Sequence, residues 1–354
     1  MSFLCKKFMQ GFDRTYLSIK NKHKTCSLHL NPDPFDGRVY TIDEFYEGYK
    51  KYFDDPLGFY NDYAPEDGIC LRDGRHHRDT SEAQAPFRYM VFDSPVPSPW
   101  EENNLVPFKW FTNPEKPSRT LLLFAPGWGR TSQSFEEVWC RKLQEMGVDC
   151  GLTTVPYHQA RTPQGSFSGE YWISANLFFT IANFRLYTAE LRLLFQYMKR
   201  RYDYVGFIGM SSGGFQTALA ANCEPADFLF PMITGGNLAD ITWDGLITTY
   251  VRQDLEAKGV TREQLARVWS VTDECVLGRH CKARYIKQYI SMYDEVVGTE
   301  NQLAMWEAIG RPDRMMVPSA HYSVYFFGNR ILRDIARMVA ENVAGWSRSP
   351  GSAA

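Results

Sequence analysis

Residue types that together make a reactive hydroxyl occur in an informative order along this chain. Gly209-Met210-Ser211-Ser212-Gly213 sets a serine between two glycines, each two positions away. The apolar run 205–208 precedes it and the Ala-rich stretch 215–221 follows, a strand–turn–helix pattern. A serine held on so tight a turn takes a strained conformation, and side chains at the glycine positions would meet neighbouring backbone. The turn also brings Ser211 to a helix start, where developing negative charge is favoured. Ser212 offers a second hydroxyl, but only Ser211 has glycine at both flanking positions. A serine is a weak nucleophile until a base takes its proton. Of seven histidines, only His280 and His321 follow the serine. His280 lies in the polar stretch 277–282 and reads as a solvated loop residue. His321 directly follows the short apolar run 315–317 and precedes the helical stretch 331–344.

Holding such groups together requires a scaffold, and the pattern supplies one. Short apolar runs at 120–124, 150–155, 205–208, 228–233, 289–292 and 315–317 each end near Gly, Pro, Asn or Ser. Amphipathic stretches such as 135–146, 186–198 and 302–309 lie between them. Buried strands alternating with helices predict an α/β fold with a mainly parallel sheet covered on both faces. Two further strands, 87–92 and 105–111, flank a turn containing Pro95, Pro97 and Pro99. Residues 1–85 differ. Ile42, Phe45, Tyr46 and Tyr49 recur at helical spacing, Asp55-Pro56 stops the pattern, and 68–85 is polar. The expected organisation is an N-terminal helical extension over 1–85, a main domain over 86–346 with a small lid at 234–282, and a disordered tail over 347–354.

The serine motif in this setting resembles the nucleophile elbow of the α/β-hydrolase superfamily, and the resemblance covers roughly residues 87–345. Its chain order of nucleophile, acid and histidine implies Ser211 as nucleophile and His321 as base. It implies Asp294, after the run 289–292, as the carboxylate that orients His321 through Nδ1. Asp240 is the alternative acid, and Glu295 is expected to point away. Upstream, Phe124-Ala125-Pro126-Gly127-Trp128-Gly129 carries a strand into a Gly-rich turn. This loop usually begins His-Gly in the superfamily. Pro126 stands there instead, which is similar to the cutinase-like polyester hydrolases and implies an oxyanion hole built from the backbone N–H groups of Trp128 and Ser212. In the polar loop 155–170, Tyr157, His158 and Arg161 are expected near the site entrance. Arg161 reads either as a clamp for an acidic substrate or as half of a structural ion pair. Trp243 is a candidate pocket wall. The implied activity is hydrolysis of a small-molecule or polymeric carboxylic ester through an acyl-enzyme, without metal or organic cofactor. Acyl transfer, amide or carbon–carbon bond cleavage, and a non-catalytic binding role on the same fold are the alternatives.

Composition narrows the partners. Lys+Arg at 39 against Asp+Glu at 41 leaves a net charge of −2, which predicts neither a nucleic-acid surface nor a polyanionic partner. There is no apolar run of roughly 18 residues. Lys6 and Lys7 interrupt the first apolar stretch, so a secretory signal is not predicted and a cytoplasmic location is expected. The eight cysteines are scattered without metal-ligand spacing; Cys275 and Cys281 flank His280 in no ordinary zinc pattern.

Overall fold

The computed structural model describes residues 3–20, 28–30, 37–62, 68–74 and 87–348. Nine strands form one sheet: β1 Arg72–Asp73, β2 Arg88–Asp93, β3 Leu105–Phe111, β4 Thr120–Ala125, β5 Asp149–Thr153, β6 Tyr204–Met210, β7 Phe228–Met232, β8 Tyr285–Ser291 and β9 Asp313–Val317. Their spatial order is β1-β2-β3-β5-β4-β6-β7-β8-β9. The first three strands enter antiparallel, and from β5 onward every pairing is parallel. Parallel pairing demands a crossover between strands, and the amphipathic stretches supply the helices.

Period-two alternation sorts the side chains of the central strands to two cores. Leu121, Leu123 and Ala125 of β4 join Val205 and Phe207 of β6 beneath helices Leu177–Lys199 and Ser212–Cys223. Leu122, Phe124, Ile208 and Met210 face the other way, against helices Ser134–Glu145 and Gly328–Arg348. Each fully buried aliphatic side chain contributes roughly 1.5–3 kcal/mol over its exposed state.

The departures from the pattern have physical causes. β8 starts at Tyr285, four residues before the apolar run, because Lys287 and Gln288 are buried polar strand residues. Lys287 pairs with Asp334 at 2.8 Å, and Gln288 Nε2 donates to the Gln302 carbonyl at 2.9 Å. The helix expected over 186–198 begins at Leu177, where the Asn176 side chain accepts from the Phe179 N–H. It is buried almost all round, so its first half carries no amphipathic signal. The final helix runs to Arg348, into the stretch expected as tail; 349–354 lie outside the described residues. The polar stretch 68–85 contributes the short β1, and 75–86 lie outside the described residues.

Two helices within residues 1–85 lie against later parts of the chain. Helix Ile42–Asp54 begins with a capping box between Thr41 and Glu44, and its Phe45 stacks on Phe178 with ring centroids 3.7 Å apart. Helix Phe3–Lys20 packs on the 3₁₀ turn Tyr322–Phe327. The segment between β7 and β8, which includes the expected lid, folds as helices Leu238–Asp244, Thr249–Ala257 and Arg262–Trp269. Its Val251, Leu255, Leu265, Val268 and Trp269 are buried in the first core. No helix among the described residues is long and apolar enough to cross a membrane.

Candidate active site

β6 ends at Met210, and the chain turns at Ser211 with φ 53° and ψ −122° before entering helix Ser212–Cys223. That conformation is costly for a non-glycine residue and is held by its surroundings. The Ser211 N–H donates to the Met232 carbonyl of β7 at 2.8 Å, and the Ser211 carbonyl accepts from Gly214 at 2.9 Å. The flanking glycines are required by packing. A Cβ on Gly213 would strike the Ala125 carbonyl, and one on Gly209 would strike Thr217 Oγ1 and the Gly213 carbonyl.

His321 stands after β9, just ahead of the turn Tyr322–Phe327. Its Nε2 lies 2.9 Å from Ser211 Oγ and its Nδ1 2.8 Å from Asp294 Oδ2. With a carboxylate on Nδ1, the tautomer that satisfies both contacts carries the proton on Nδ1 and leaves Nε2 to accept from the serine. Asp294 follows β8 with its side chain out of solvent. Oδ1 accepts from the N–H groups of Val296 (2.8 Å) and Val297 (3.0 Å), and Oδ2 also accepts from Gln302 Nε2 (2.9 Å). Burial alone would push this carboxyl up. The adjoining His321 and the two amides outweigh it and hold Asp294 below the ordinary carboxylate value.

The other serine and acids have different partners. Ser212 Oγ accepts from the buried Trp172 indole at 2.7 Å. Asp240 pairs with Arg262 at 2.8 Å, and Glu295 points away from His321 to Arg14, with contacts of 2.6 and 2.8 Å.

Gly127, Trp128, Ser211 and Ser212 line one cavity together with His321. Its remaining walls are largely apolar, with Ile173, Phe184, Phe215, Leu238, Ile241 and Val297 among them, and its volume is about 60 Å³. Trp128 and Ser212, whose amides the sequence reading offered as oxyanion donors, thus line the same cavity as Ser211.

The remaining pocket candidates do not line it, and each has a physical reason. Arg161 is fully buried, its guanidinium paired with Glu190 at 2.7 and 2.8 Å and donating to the carbonyls of Asn103 and Thr154. Five donors in a fixed fork are thereby satisfied inside the protein, which is the structural-pair alternative. Tyr157 is buried among Trp100, Tyr171 and Phe179. Trp243 is half-buried against the first core. His158 stands behind the turn that follows β4: its Nε2 accepts from the Gly129 N–H at 2.8 Å, while Nδ1 meets the Pro156 carbonyl at 2.8 Å. The Trp128 indole donates to the Gly169 carbonyl at 2.7 Å, so loop 155–170 braces the turn next to the serine.

Two positioning residues were not legible from the sequence. Gln302, on helix Thr299–Ala308, joins Asp294 to β8, because its Oε1 accepts from the Ser291 N–H at 2.9 Å. Asp13, on helix Phe3–Lys20, accepts from the N–H groups of Tyr322 (3.0 Å) and Ser323 (3.2 Å), directly beyond His321. Burial raises the Asp13 carboxyl, with those amides and His321 acting in the opposite direction.

No family model matches the chain. A stretch of 101 residues is 22% identical to the uncharacterized protein YdjC of Bacillus subtilis (strain 168), covering 28% of this chain and 87% of that protein. Among solved structures, an acetyl xylan esterase from Paenibacillus sp. R4 superposes with a TM-score of 0.58 at 14% identity, over 90% of this chain and 98% of that one. Acetyl xylan esterase 1 from Thermoanaerobacterium sp. JW/SL YS485 gives 0.59 at 15% identity, over 82% and 93%. A cold-adapted esterase from an Arctic intertidal metagenomic library gives 0.51 at 12% identity, over 75% and 98%. At such identities the likeness establishes the fold, and the fold is that of the α/β-hydrolases.

Proposed function

We propose that this chain is a serine carboxylesterase that forms an acyl-enzyme on Ser211 and takes esters of short acyl groups. The observation that carries the reading is the unbroken hydrogen-bonded series Ser211–His321–Asp294, opening on a cavity lined by Trp128 and Ser212. In this reading His321 Nε2 takes the Ser211 proton as Oγ attacks the ester carbonyl. Asp294 stabilises the imidazolium, and the N–H groups of Trp128 and Ser212 donate to the oxyanion. His321 then returns the proton to the leaving alcohol, leaving the acyl group on Ser211, and water activated by the same histidine releases it as the acid. The mainly apolar walls of the cavity suit an uncharged acyl group. The names of two structural neighbours, acetyl xylan esterases, agree with a short acyl group.

The test is fluorophosphonate labelling and turnover of nitrophenyl esters of increasing acyl length. Wild type should label and prefer the short esters, and Ser211→Ala should abolish labelling and lower kcat by on the order of 10⁴-fold or more. Labelling that persists in Ser211→Ala, or a folded wild type that neither labels nor turns over any ester, refutes the assignment.

A further inference from the structure

Helix Phe3–Lys20 presents two unlike faces. One is docked: Asp13 and Leu17 are buried against later parts of the chain, Gln10 Nε2 reaches the Tyr293 carbonyl at 3.4 Å, and Arg14 pairs with Glu295. The other is apolar and turned to solvent. Leu4, Phe8, Phe12 and Ile19 are 75%, 64%, 40% and 74% exposed. With Tyr16 they recur every three or four residues, within an arc of roughly 120° on a helix advancing 100° per residue. The apolar surface continues off the helix. Phe12 meets Phe326, itself 61% exposed, with ring centroids 5.3 Å apart. Tyr16 and Ile19 form a groove with Gly129, Arg130 and Phe135. The exposed face therefore reaches Arg130, which also lines the cavity at Ser211.

The charge around this face is lopsided. Helix Phe3–Lys20 carries Lys6, Lys7, Arg14 and Lys20 against the single acid Asp13, with Arg14 held by Glu295, in a chain whose net charge is −2. Asp13 is buried, so it does little to offset the surface charge of this stretch. An apolar helical arc in cationic surroundings is the composition of a helix that lies in a lipid–water interface. A second copy fits less well, because a twofold contact through this face would oppose two cationic stretches.

We propose that helix Phe3–Lys20 docks the protein on anionic lipid surfaces, with Leu4, Phe8, Phe12 and Ile19 entering the headgroup–acyl boundary. The helix lies in the plane of the surface, and its docked face stays on the loops that carry Asp294 and His321. Docking in this way brings Arg130 and the cavity it lines toward the lipid, where the cavity meets esters held at that surface. The surface assignment is independent of the ester chemistry and is tested without it.

The experiment is co-sedimentation of the full chain with phosphatidylcholine vesicles, with and without about 30% phosphatidylserine. Wild type should sediment with the anionic vesicles at low salt and be released at high salt. Phe8→Ser with Ile19→Ser, and separately Lys6→Glu with Lys7→Glu, should weaken binding about tenfold or more. Far-UV circular dichroism and melting curves identify variants that are folded, and the salt dependence of wild type stands if a variant is not. Absence of vesicle binding by folded wild type overturns the proposal, as does binding unchanged in both folded variants. Light scattering that reveals a dimer lost in Phe8→Ser with Ile19→Ser, without vesicle binding, assigns the face to a second copy instead.

Discussion

Asp294 accepts from Val296, Val297, Gln302 and His321 in a position closed to solvent, and these partners do separable work. The two amides fix the carboxylate in its loop. Gln302 fixes which oxygen meets His321, since its own amide is anchored on Ser291 of β8. Replacing the carboxylate removes both the charge and the acceptor that sets the tautomer, so Asp294→Asn should lower kcat by on the order of 10³–10⁴-fold. Gln302→Leu removes one hydrogen bond to a charged group, worth about 1.5–3 kcal/mol, and should lower kcat roughly ten- to a hundredfold. Single-turnover acylation by a nitrophenyl ester measures both variants. Equal losses would mean that Gln302 holds the whole acid loop rather than one oxygen. The sequence reading reached Asp294 through the chain order that the resemblance implies, after an apolar run, and the structure sets its Oδ2 2.8 Å from His321 Nδ1. Gln302 was not legible, because a glutamine inside an amphipathic helix reads as surface until its two partners are seen.

Among elements, the 3₁₀ turn Tyr322–Phe327 is where the first helix and the site meet. A turn start leaves backbone N–H groups without internal partners, and Asp13 satisfies two of them from a position more than 300 residues away in the chain. His321 immediately precedes this turn, so a shift of the turn moves the imidazole. Asp13→Ala should lower kcat about tenfold with KM within roughly twofold, and Asp13→Asn, which keeps one acceptor, should recover part of the loss. Steady-state kinetics beside melting curves decide the matter: a lower melting temperature with unchanged kcat would mean that Asp13 only anchors the helix. Nothing local in the sequence signals this contact. Asp13 sits in a Lys-rich stretch that resembles a solvated helix, and its partner amides belong to backbone. The parallel strands, by contrast, were legible because burial on both faces leaves unbroken apolar runs. Loop 155–170 misled for the opposite reason, since Arg161 and His158 are polar residues spent on internal partners.

At the scale of the whole molecule, the segment between β7 and β8 is tied into the body by buried polar contacts as well as by its apolar side. The Trp269 indole donates to the Leu177 carbonyl at 3.3 Å, and Tyr60 Oη donates to the Val271 carbonyl at 2.9 Å. Glu274 is fully buried against the helix that starts at Ser212, its carboxyl accepting from Asn222 Nδ2 at 3.1 and 3.2 Å. Burial pushes this carboxyl up from an ordinary 4.5 to about 8, with Asn222 only partly opposing. Below about pH 4.5 the group is neutral in both folded and unfolded chains and folding is unaffected. Between about 4.5 and 8 the unfolded chain ionises while the folded chain keeps its proton, so stability falls as pH rises through that window and levels off above it. Asp294 works in the other direction, since its lowered value withdraws stability only as pH falls. The melting temperature of wild type should therefore decline between pH 5 and 8.5, on the order of several degrees. Glu274→Gln keeps an acceptor for Asn222 but has no charge to bury, so it should flatten that decline and melt roughly 3–6 °C above wild type at pH 8.5. Because the Glu274 contact joins the segment to the helix behind Ser211, labelling of Ser211 at pH 8.5 should also survive to a higher temperature in Glu274→Gln. A variant that melts with the same pH dependence as wild type would mean that Glu274 is ionised in the folded protein.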